Sequence, residues 1–321
     1  MIPSQLSRRG FLYAAGALSA GAAAACQAAP PSGKAERLLR IAHLTDIHIE
    51  QRSDARLGMA KALAHAQAQP DPPAFILNTG DSIMDSLETP KEYALARWDL
   101  FNEILEQECS LPVVHAIGNH DVFGWGLPEE ERAALADDPL FGKGMALQAL
   151  GLKQRYYSFD QAGWHFIVLD SSHPREMESP MPYTGKLDEE QRAWLRSDLE
   201  ATPATRPVCI ASHIPILCAC EFFDGDLATT GNWVVPGAWM HIDAGWLREL
   251  FLAHPNVRAC LSGHAHQHDR VDYLGVRYAC DGAVSGNWWY GDYLNCPPSY
   301  VMVDLYADGS IETEFVAYVR T

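Results

Sequence analysis

The sequence predicts an α/β fold built in layers, and two observations carry this prediction. In the first third of the chain, short apolar runs of strand length alternate with segments whose apolar residues recur at helical spacing. Beyond residue 269 the pattern is mostly that of strands, with the turn residues Asp308 and Gly309 between the last two. Alternation of this kind is typical of sheets that are covered by helices.

Each predicted element follows from its local pattern, and no repeat or internal linker interrupts the series. Strands are predicted from apolar or alternating runs at 38–45, 74–78, 112–117, 156–160, 164–170, 206–212, 257–262, 270–274, 276–280, 299–305 and 311–319. Helices are predicted from amphipathic spacing at 53–69, 91–106 and 187–199. We therefore expect residues 37–321 to form one domain.

The first 29 residues predict an export signal. Arg8 and Arg9 precede an Ala/Gly-rich apolar stretch from Tyr13 to Ala25, which is shorter than a membrane span. The arginine pair followed by Gly-Phe-Leu is similar to a twin-arginine signal. Cys26 ends the apolar stretch in a sequence similar to a bacterial lipobox, so we expect either lipidation at Cys26 or cleavage between residues 25 and 29. Residues 30–36 are rich in Pro, Ser and Gly and predict a linker.

This signal implies a location outside the cytoplasm, in the periplasm or at the cell surface, with a membrane anchor if Cys26 is lipidated. The chain of 321 residues has a formal net charge of −17, and no run rich in Lys or Arg follows the first residues. Such a surface repels phosphate backbones, so no nucleic-acid partner is expected.

Seven cysteines follow Cys26, and six of them, all except Cys109, divide into two groups by their sequence context. Those in strand-like runs are predicted to be buried thiols: Cys209, Cys260 and Cys280. Those in loop-like sequence are the better disulfide candidates in an oxidising compartment: Cys218, Cys220 and Cys296. The Cys218-Ala219-Cys220 spacing has no matching second pair, so it does not predict a zinc knuckle.

Five short polar blocks follow strand-like runs and carry the strongest functional signal. They are Asp46-Ile47-His48, Gly80-Asp81, Gly118-Asn119-His120-Asp121, His213 and Gly263-His264-Ala265-His266. Their carboxylate, amide and imidazole groups are ligands for Zn, Mn or Fe, and none of the blocks contains a thiolate. Residues two apart point to the same side of an extended chain, so each Asp/His or His/His pair is expected to face one cavity. Together the blocks predict a site for two divalent metal ions.

On these residues the chain resembles the calcineurin-like metallophosphoesterases, from residue 38 to about residue 283. The resemblance implies a four-layer α-β-β-α sandwich in which two mixed sheets are flanked by helices. It also implies an enzyme that hydrolyses phosphomonoesters or phosphodiesters with a hydroxide that bridges two divalent ions, Mn, Fe or Zn.

The resemblance further assigns a role to each site residue. One metal is held by Asp46, His48 and His266, the other by Asn119, His213 and His264, and Asp81 bridges the two. His120 is then the candidate for general acid or for stabilising the phosphoryl charge. Asp121 is expected to orient His120 by accepting a hydrogen bond from its ring.

The substrate is expected to be a small-molecule or envelope phosphoester. The opening block, residues 43–48, is similar to that of cyclic-nucleotide phosphodiesterases, which gives one alternative; export argues against a role in intracellular signalling. The other alternative is a surface lipoprotein that uses the fold mainly for binding. Aromatic residues in loops are candidates for a substrate wall: Trp125, Trp233, Trp239 and the segment 286–290. The oligomeric state is not specified by the sequence.

Overall fold

A computed structural model describes residues 35–175 and 180–319 of the chain. In chain order the elements are β1 (Arg37–Leu44), α1 (Ser53–Gln67), β2 (Ile76–Asn78), α2 (Lys91–Glu108), β3 (Val113–His115), α3 (Glu129–Ala134), α4 (Gly144–Ala149), β4 (Tyr157–Gln161), β5 (Trp164–Val168), β6 (Ser172–Pro174), β7 (Tyr183–Gly185), α5 (Glu189–Ala201), β8 (Val208–Ala211), a 3₁₀ turn (Cys220–Phe223), α6 (Ala244–Ala253), β9 (Val257–Ser262), β10 (Asp269–Tyr273), β11 (Val276–Cys280), β12 (Tyr300–Tyr306) and β13 (Ile311–Val316). Residues Ala35–Thr321 form one compact unit.

The strands form two mixed sheets and a small hairpin. The first sheet has the order β13-β12-β1-β2-β3, with β1, β2 and β3 parallel and β12 and β13 antiparallel at one side. The second has the order β10-β11-β9-β8-β5-β4, with a parallel centre of β11, β9, β8 and β5 and antiparallel strands at both edges. The strands β6 and β7 pair with each other as a separate two-stranded sheet.

Apolar side chains define four layers. Between the two sheets, Ile41 and Leu77 of the first pack with Phe166 and Leu261 of the second. The outer face of the first sheet is covered by α1, α2 and α4, and that of the second by α5 and α6. This α-β-β-α arrangement confirms the predicted fold class.

The elements that the sequence did not predict are short or lie in the middle of the chain. They are α3, α4, α6, the 3₁₀ turn Cys220–Phe223 and the hairpin β6–β7. The helix α6 carried a usable signal, because Trp246, Leu247, Leu250 and Phe251 recur at helical spacing. Within the described ranges, no helix combines the length and apolar character that a membrane span requires. The predicted export signal, Cys26 and most of the linker lie outside the described residues.

Candidate metal centre

The five polar blocks lie directly after β1, β2, β3, β8 and β9. Because these strands are parallel within each sheet, their carboxyl ends gather at one edge, where α/β sheets commonly place ligand sites. Backbone hydrogen bonds join the turns to one another. The amide of Asp46 donates to the carbonyl of Gly80 at 3.0 Å, and the amide of Gly263 donates to the carbonyl of His213 at 3.1 Å. The blocks therefore form one cross-linked layer of turns.

Five of the predicted ligands have a positive φ, which is uncommon for residues with a side chain. They are Asp46 (53°), His48 (49°), Asp81 (51°), His264 (73°) and His266 (54°). The pairs were expected to face one cavity because residues two apart in an extended chain point to the same side. That reason is wrong, since these residues are not extended. Left-handed turns bring the side chains together, and conformations of this kind persist at functional sites because the surrounding structure fixes them.

Two glycines allow the turns to approach so closely. A Cβ at Gly263 would lie 1.9 Å from the Thr45 hydroxyl and 2.3 Å from a carboxylate oxygen of Asp46. A Cβ at Gly118 would lie 2.1 Å from the carboxylate of Asp81. All three distances are far shorter than a van der Waals contact, so a side chain at either position would displace a predicted ligand.

The structure brings Asp46, His48 and His266 together, with their possible ligand atoms within 4.8 Å of one another. The Nε2 atoms of His48 and His266 are 3.0 Å apart, and His266 Nε2 is 3.4 Å from Asp46 Oδ1. The Nδ1 atom of His266 lies 2.6 Å from the carbonyl of Gly286, which can only accept, so Nε2 is left with its lone pair. This lone pair faces Asp46 Oδ1, a buried oxygen that accepts no hydrogen bond, and a cation bound between the two atoms would stabilise both.

The second group is formed around His213. Its Nε2 atom lies 2.9 Å from Asn119 Oδ1, 3.2 Å from His264 Nδ1 and 3.1 Å from Asp81 Oδ2. The other ring nitrogens are held by carbonyls, His213 Nδ1 by Thr79 and His264 Nε2 by Ala238. Such backbone partners fix the ring orientation of metal-binding histidines.

Asp81 lies between the two groups. Its Oδ2 is 3.7 Å from His48 Nε2 and 3.1 Å from His213 Nε2, while Oδ1 accepts from the amide of His120 at 2.8 Å. Ligand atoms about 2.0–2.2 Å from one ion stand roughly 3 to 3.5 Å apart, so both groups fit a divalent cation. Burial lowers the pKa of His48 to about 4 and that of His264 to about 3, which keeps these rings neutral and able to bind metal.

His120 stands beside the ligands but is oriented differently from the prediction. Its Nδ1 atom is 3.3 Å from Asp85 Oδ1, so Asp85 is the carboxylate that faces the ring. Asp121 instead accepts the amides of Ser82 and Gly118 at 2.8 and 2.9 Å. The expected hydrogen bond from His120 to Asp121 is therefore wrong: Asp121 is buried beneath the turns and holds their backbones together.

The carboxylates of Asp81 and Asp85 both affect the pKa of His120. Burial alone would lower it, but the charge of Asp81 and the hydrogen bond with Asp85 outweigh burial and raise it.

His43, next to the first block, has both ring nitrogens engaged, with Asp281 at 2.5 Å and Thr79 at 2.8 Å. These two contacts give His43 a structural position.

A cavity of about 240 Å³ opens onto Asp81 and His120. Its aromatic walls are Tyr183, Trp239, Trp288 and Tyr293, and its acidic residues are Glu221 and Asp224. The ring of Trp288 lies 4.4 Å from that of His266, centroid to centroid. The sequence correctly predicted Trp239 and Trp288 as wall residues, but not Trp125, which packs near Lys143, or Trp233, which is mostly exposed.

Glu221 was missed because an isolated acidic residue after a Cys-Ala-Cys sequence carries no recognisable signal. It is only 2% exposed, and burial raises its pKa to about 9, so the carboxyl is a neutral acid near pH 7.

Trp289 was assigned to the substrate wall, but its indole nitrogen donates to the carbonyl of His48 at 3.0 Å. This hydrogen bond from Trp289 therefore stabilises the backbone of His48, a predicted ligand.

Two groups of oxygen and nitrogen ligands that share one carboxylate, at the strand ends of an α-β-β-α sandwich, define a metal-dependent phosphoesterase. A model of the calcineurin-like phosphoesterase family matches residues 39–268, more than half of the sequence, so the chain belongs to that family. The family uses a dinuclear metal centre, and the two groups described here are its candidate ligands in this chain.

Individual proteins agree with this assignment. The chain is 28% identical over 297 residues to a 3',5'-cyclic-nucleotide phosphodiesterase of Nostoc sp., covering 86% of this chain and 91% of the relative. It is 25% identical over 299 residues to the 3',5'-cyclic adenosine monophosphate phosphodiesterase CpdA of Escherichia coli K12, covering 89% and 91%. The crystal structure of a dimetal phosphatase from Danio rerio has the same fold, with a TM-score of 0.61 at 17% identity over 88% of this chain and 98% of that one.

Proposed function

We propose that this metal-dependent phosphoesterase is an exported phosphodiesterase, and that 3',5'-cyclic nucleotides are its substrate class. The observation that carries the proposal is the charge of the cavity. Among the described residues that line it, none is Lys or Arg, whereas Asp224 is acidic and Glu221 adds a carboxyl that burial keeps neutral. The two relatives named above, which are 3',5'-cyclic-nucleotide phosphodiesterases, support the same substrate class.

The charge argument separates diesters from monoesters. A phosphomonoester carries nearly two negative charges at neutral pH because its second pKa is about 6, whereas a diester carries one. A site for a dianion normally supplies Arg or Lys in addition to metal ions. Asp224, fixed by the hydroxyl of Tyr293 at 2.9 Å, would repel the additional charge of a monoester.

The shape and lining of the cavity favour a small aromatic substrate. The volume of about 240 Å³ suits a small molecule better than a polymer. Trp239 and Trp288 offer faces on which a nucleobase could stack, an interaction worth about 1–3 kcal/mol per base. Neutral Glu221 can donate a hydrogen bond to a base or ribose without adding charge.

The protein residues divide the chemistry between them. Two divalent ions, when bound, would lower the pKa of a water molecule and polarise the phosphoryl oxygens. In the hydrolysis of a cyclic diester, a water oxygen bonds to phosphorus and the bond between phosphorus and the ester oxygen breaks. His120, held by Asp85 through Nδ1, is positioned at the cavity to give its second ring proton to the departing oxygen.

The test compares two substrates with the same base and sugar, 3',5'-cyclic AMP and 5'-AMP. With the metal-free protein reloaded with Mn²⁺ or Zn²⁺, kcat/KM for the cyclic diester should exceed that for the monoester by at least about tenfold, because a second negative charge meets no cationic side chain. The control is Asp81→Asn, prepared in parallel, which reports contaminating activity.

Faster release of phosphate from 5'-AMP would refute the diester preference. Faster cleavage of a diester that lacks a base, such as methyl p-nitrophenyl phosphate, would keep the reaction and overturn the substrate class. Export is tested separately: changing Arg8 and Arg9 together to Lys should retain the protein in the cytoplasm if the twin-arginine signal operates. Normal export of that variant would contradict this part of the proposal.

A further inference from the structure

Three cysteines meet behind the predicted metal ligands. Cys218 and Cys220 come from the connection after β8, and Cys280 is the last residue of β11. Their sulfur atoms lie within 4.8 Å of one another. All three side chains are buried, and all seven cysteines of the described residues are free thiols. The cysteine trio, Cys218, Cys220 and Cys280, thus combines two predicted disulfide candidates from loops with one predicted buried thiol.

The backbone around the trio is fixed by the sheet. Asp269 is paired with Cys280 in the register of β10 and β11. Its carboxylate also accepts the amides of Ala219 and Cys220, at 2.5 and 3.1 Å. One residue therefore holds the Cys-Ala-Cys turn against the end of β11. The three sulfur atoms are brought together by a preorganised backbone.

The number of sulfur atoms indicates which chemistry the trio performs. A disulfide uses two sulfur atoms and would leave the third without a function, whereas a metal ion binds all three. Zinc–sulfur bonds of about 2.3 Å place thiolates roughly 3.8 Å apart around a tetrahedral ion, which lies within the separation seen here. Thiolates select soft or borderline ions such as Zn²⁺ and Cu⁺ over Mn²⁺ and Mg²⁺.

We propose that Cys218, Cys220 and Cys280 form a thiolate site for one Zn²⁺ ion, separate from the dinuclear centre. The position of this site gives the ion a structural role. Cys280 Sγ lies 3.0 Å from the carbonyl of Gly263, and Ala265 packs among the three cysteines. Gly263 and Ala265 flank His264, so an ion here would brace the turn that carries two predicted ligands.

The same ion would also brace the wall of the cavity. Glu221, which lines the cavity, follows Cys220 directly and lies in the same 3₁₀ turn. Metal ions of this kind add their binding free energy to the stability of the folded chain. Loss of the ion should therefore mainly lower the melting temperature of the protein. Its effect on turnover should be minor.

The test uses Co²⁺, which replaces Zn²⁺ and absorbs in the near ultraviolet when bound by thiolate. The predicted dinuclear ligands are oxygen and nitrogen, so a thiolate-to-cobalt band reports the trio alone and does not depend on activity. The full-length protein reloaded with Co²⁺ should show this band. Cys220→Ser should lose the band and one equivalent of metal, whereas the control Cys260→Ser, a buried thiol outside the trio, should retain both.

Two results would overturn the proposal. One is a folded wild-type protein that binds Co²⁺ without the thiolate band, which would make the trio an ordinary buried cluster of thiols. The other is a disulfide between any two of the three cysteines, detected by mass spectrometry of peptides after alkylation in denaturant without reductant. Both measurements use the wild-type chain, so they decide the question even if the serine variant does not fold.

Discussion

The turns that carry the predicted metal ligands and the walls of the cavity are built differently. In the turns, Asp46, His48 and Asp81 are almost fully buried, adopt left-handed backbone conformations, and are joined across the sheet by backbone hydrogen bonds. Most of the wall residues come from the connections at 214–243 and 281–299, where Trp239 and Trp288 are partly exposed. Rigid turns can hold reacting groups in place, and loops can vary the substrate without disturbing them.

This contrast leads to a division of function between the two regions. The turns should determine whether phosphoester hydrolysis occurs at all, and the walls should determine which ester is bound. Changes in the turns are therefore expected to lower kcat for every substrate. Changes in the walls are expected to raise KM for substrates that contain a base.

The largest effect is expected for Asp81→Asn. The change removes the carboxylate that both ligand groups share, so kcat/KM should fall by at least about a hundredfold for all substrates, a loss of several kcal/mol of transition-state stabilisation. Steady-state kinetics and metal analysis of the same preparation check this. The matched control is Asp71→Asn, at an exposed surface position, which should retain full activity. Equal activity of the two variants would disprove the assigned role of Asp81.

A smaller effect, which depends on the substrate, is expected for His120→Ala. If His120 gives a proton to the leaving oxygen, cyclic AMP turnover should fall by about 10² to 10⁴, because an alkoxide leaves poorly without protonation. Turnover of methyl p-nitrophenyl phosphate should fall much less, since nitrophenolate needs no proton. The same loss for both substrates would show that His120 stabilises charge and does not act as an acid.

Trp288→Ala should change both regions, because the ring forms the wall and also rests on His266. We expect KM for cyclic AMP to rise by about tenfold from lost stacking, together with weaker binding of Mn²⁺ in a titration of activity. The control is Tyr290→Ala, an exposed aromatic residue that packs on Arg52 outside the cavity. A change in kcat alone, at saturating metal, would argue against a wall role for Trp288.

The smallest effect concerns a residue of β5, outside both regions, and depends on pH. His165 lies 2.7 Å from Asp160 and 2.8 Å from Asp198; burial would lower its pKa, but these carboxylates outweigh burial and raise it. The resulting stabilisation is complete below the unfolded value of about 6.5 and is lost as the pH rises through the higher folded value.

The unfolding free energy of the wild type should therefore decrease more than that of His165→Asn between pH 6 and pH 9, by less than about 1 kcal/mol. Urea denaturation at the two pH values measures the difference. Activity of the variant at a fixed pH should be unchanged. Identical pH dependence of stability in both proteins would contradict the raised pKa.

Sequence reasoning predicted the turns better than the walls, for a physical reason. The ligand residues follow apolar strands, and both the strand pattern and the ligand chemistry are local properties that a sequence displays. Their left-handed conformations were not predicted, because they depend on contacts between turns such as the one that places Gly263 against Asp46. The partner of Asp121 was wrong for the same reason, since its amide donors come from two different turns.

The walls and the cysteine trio depend on contacts that are distant in sequence. Trp125 and Trp233 were indistinguishable from Trp239 by composition, and only the path of each loop decides which ring reaches the cavity. Cys218 and Cys220 lacked a matching pair in sequence, because their third partner, Cys280, belongs to a strand sixty residues further on. Folding brings these residues together through the register of β10 and β11.

The most direct test of the division of function is the effect of Trp239→Ala on two diesters, because Trp239 lines the cavity, whereas Trp288 both lines it and rests on His266. The measurement is kcat/KM for 3',5'-cyclic AMP and for methyl p-nitrophenyl phosphate, in the variant and the wild type. We predict a loss of about tenfold for the nucleotide, from lost stacking, and no change for the diester without a base. An equal loss for both substrates would contradict the division, because the wall would then contribute to the chemistry itself.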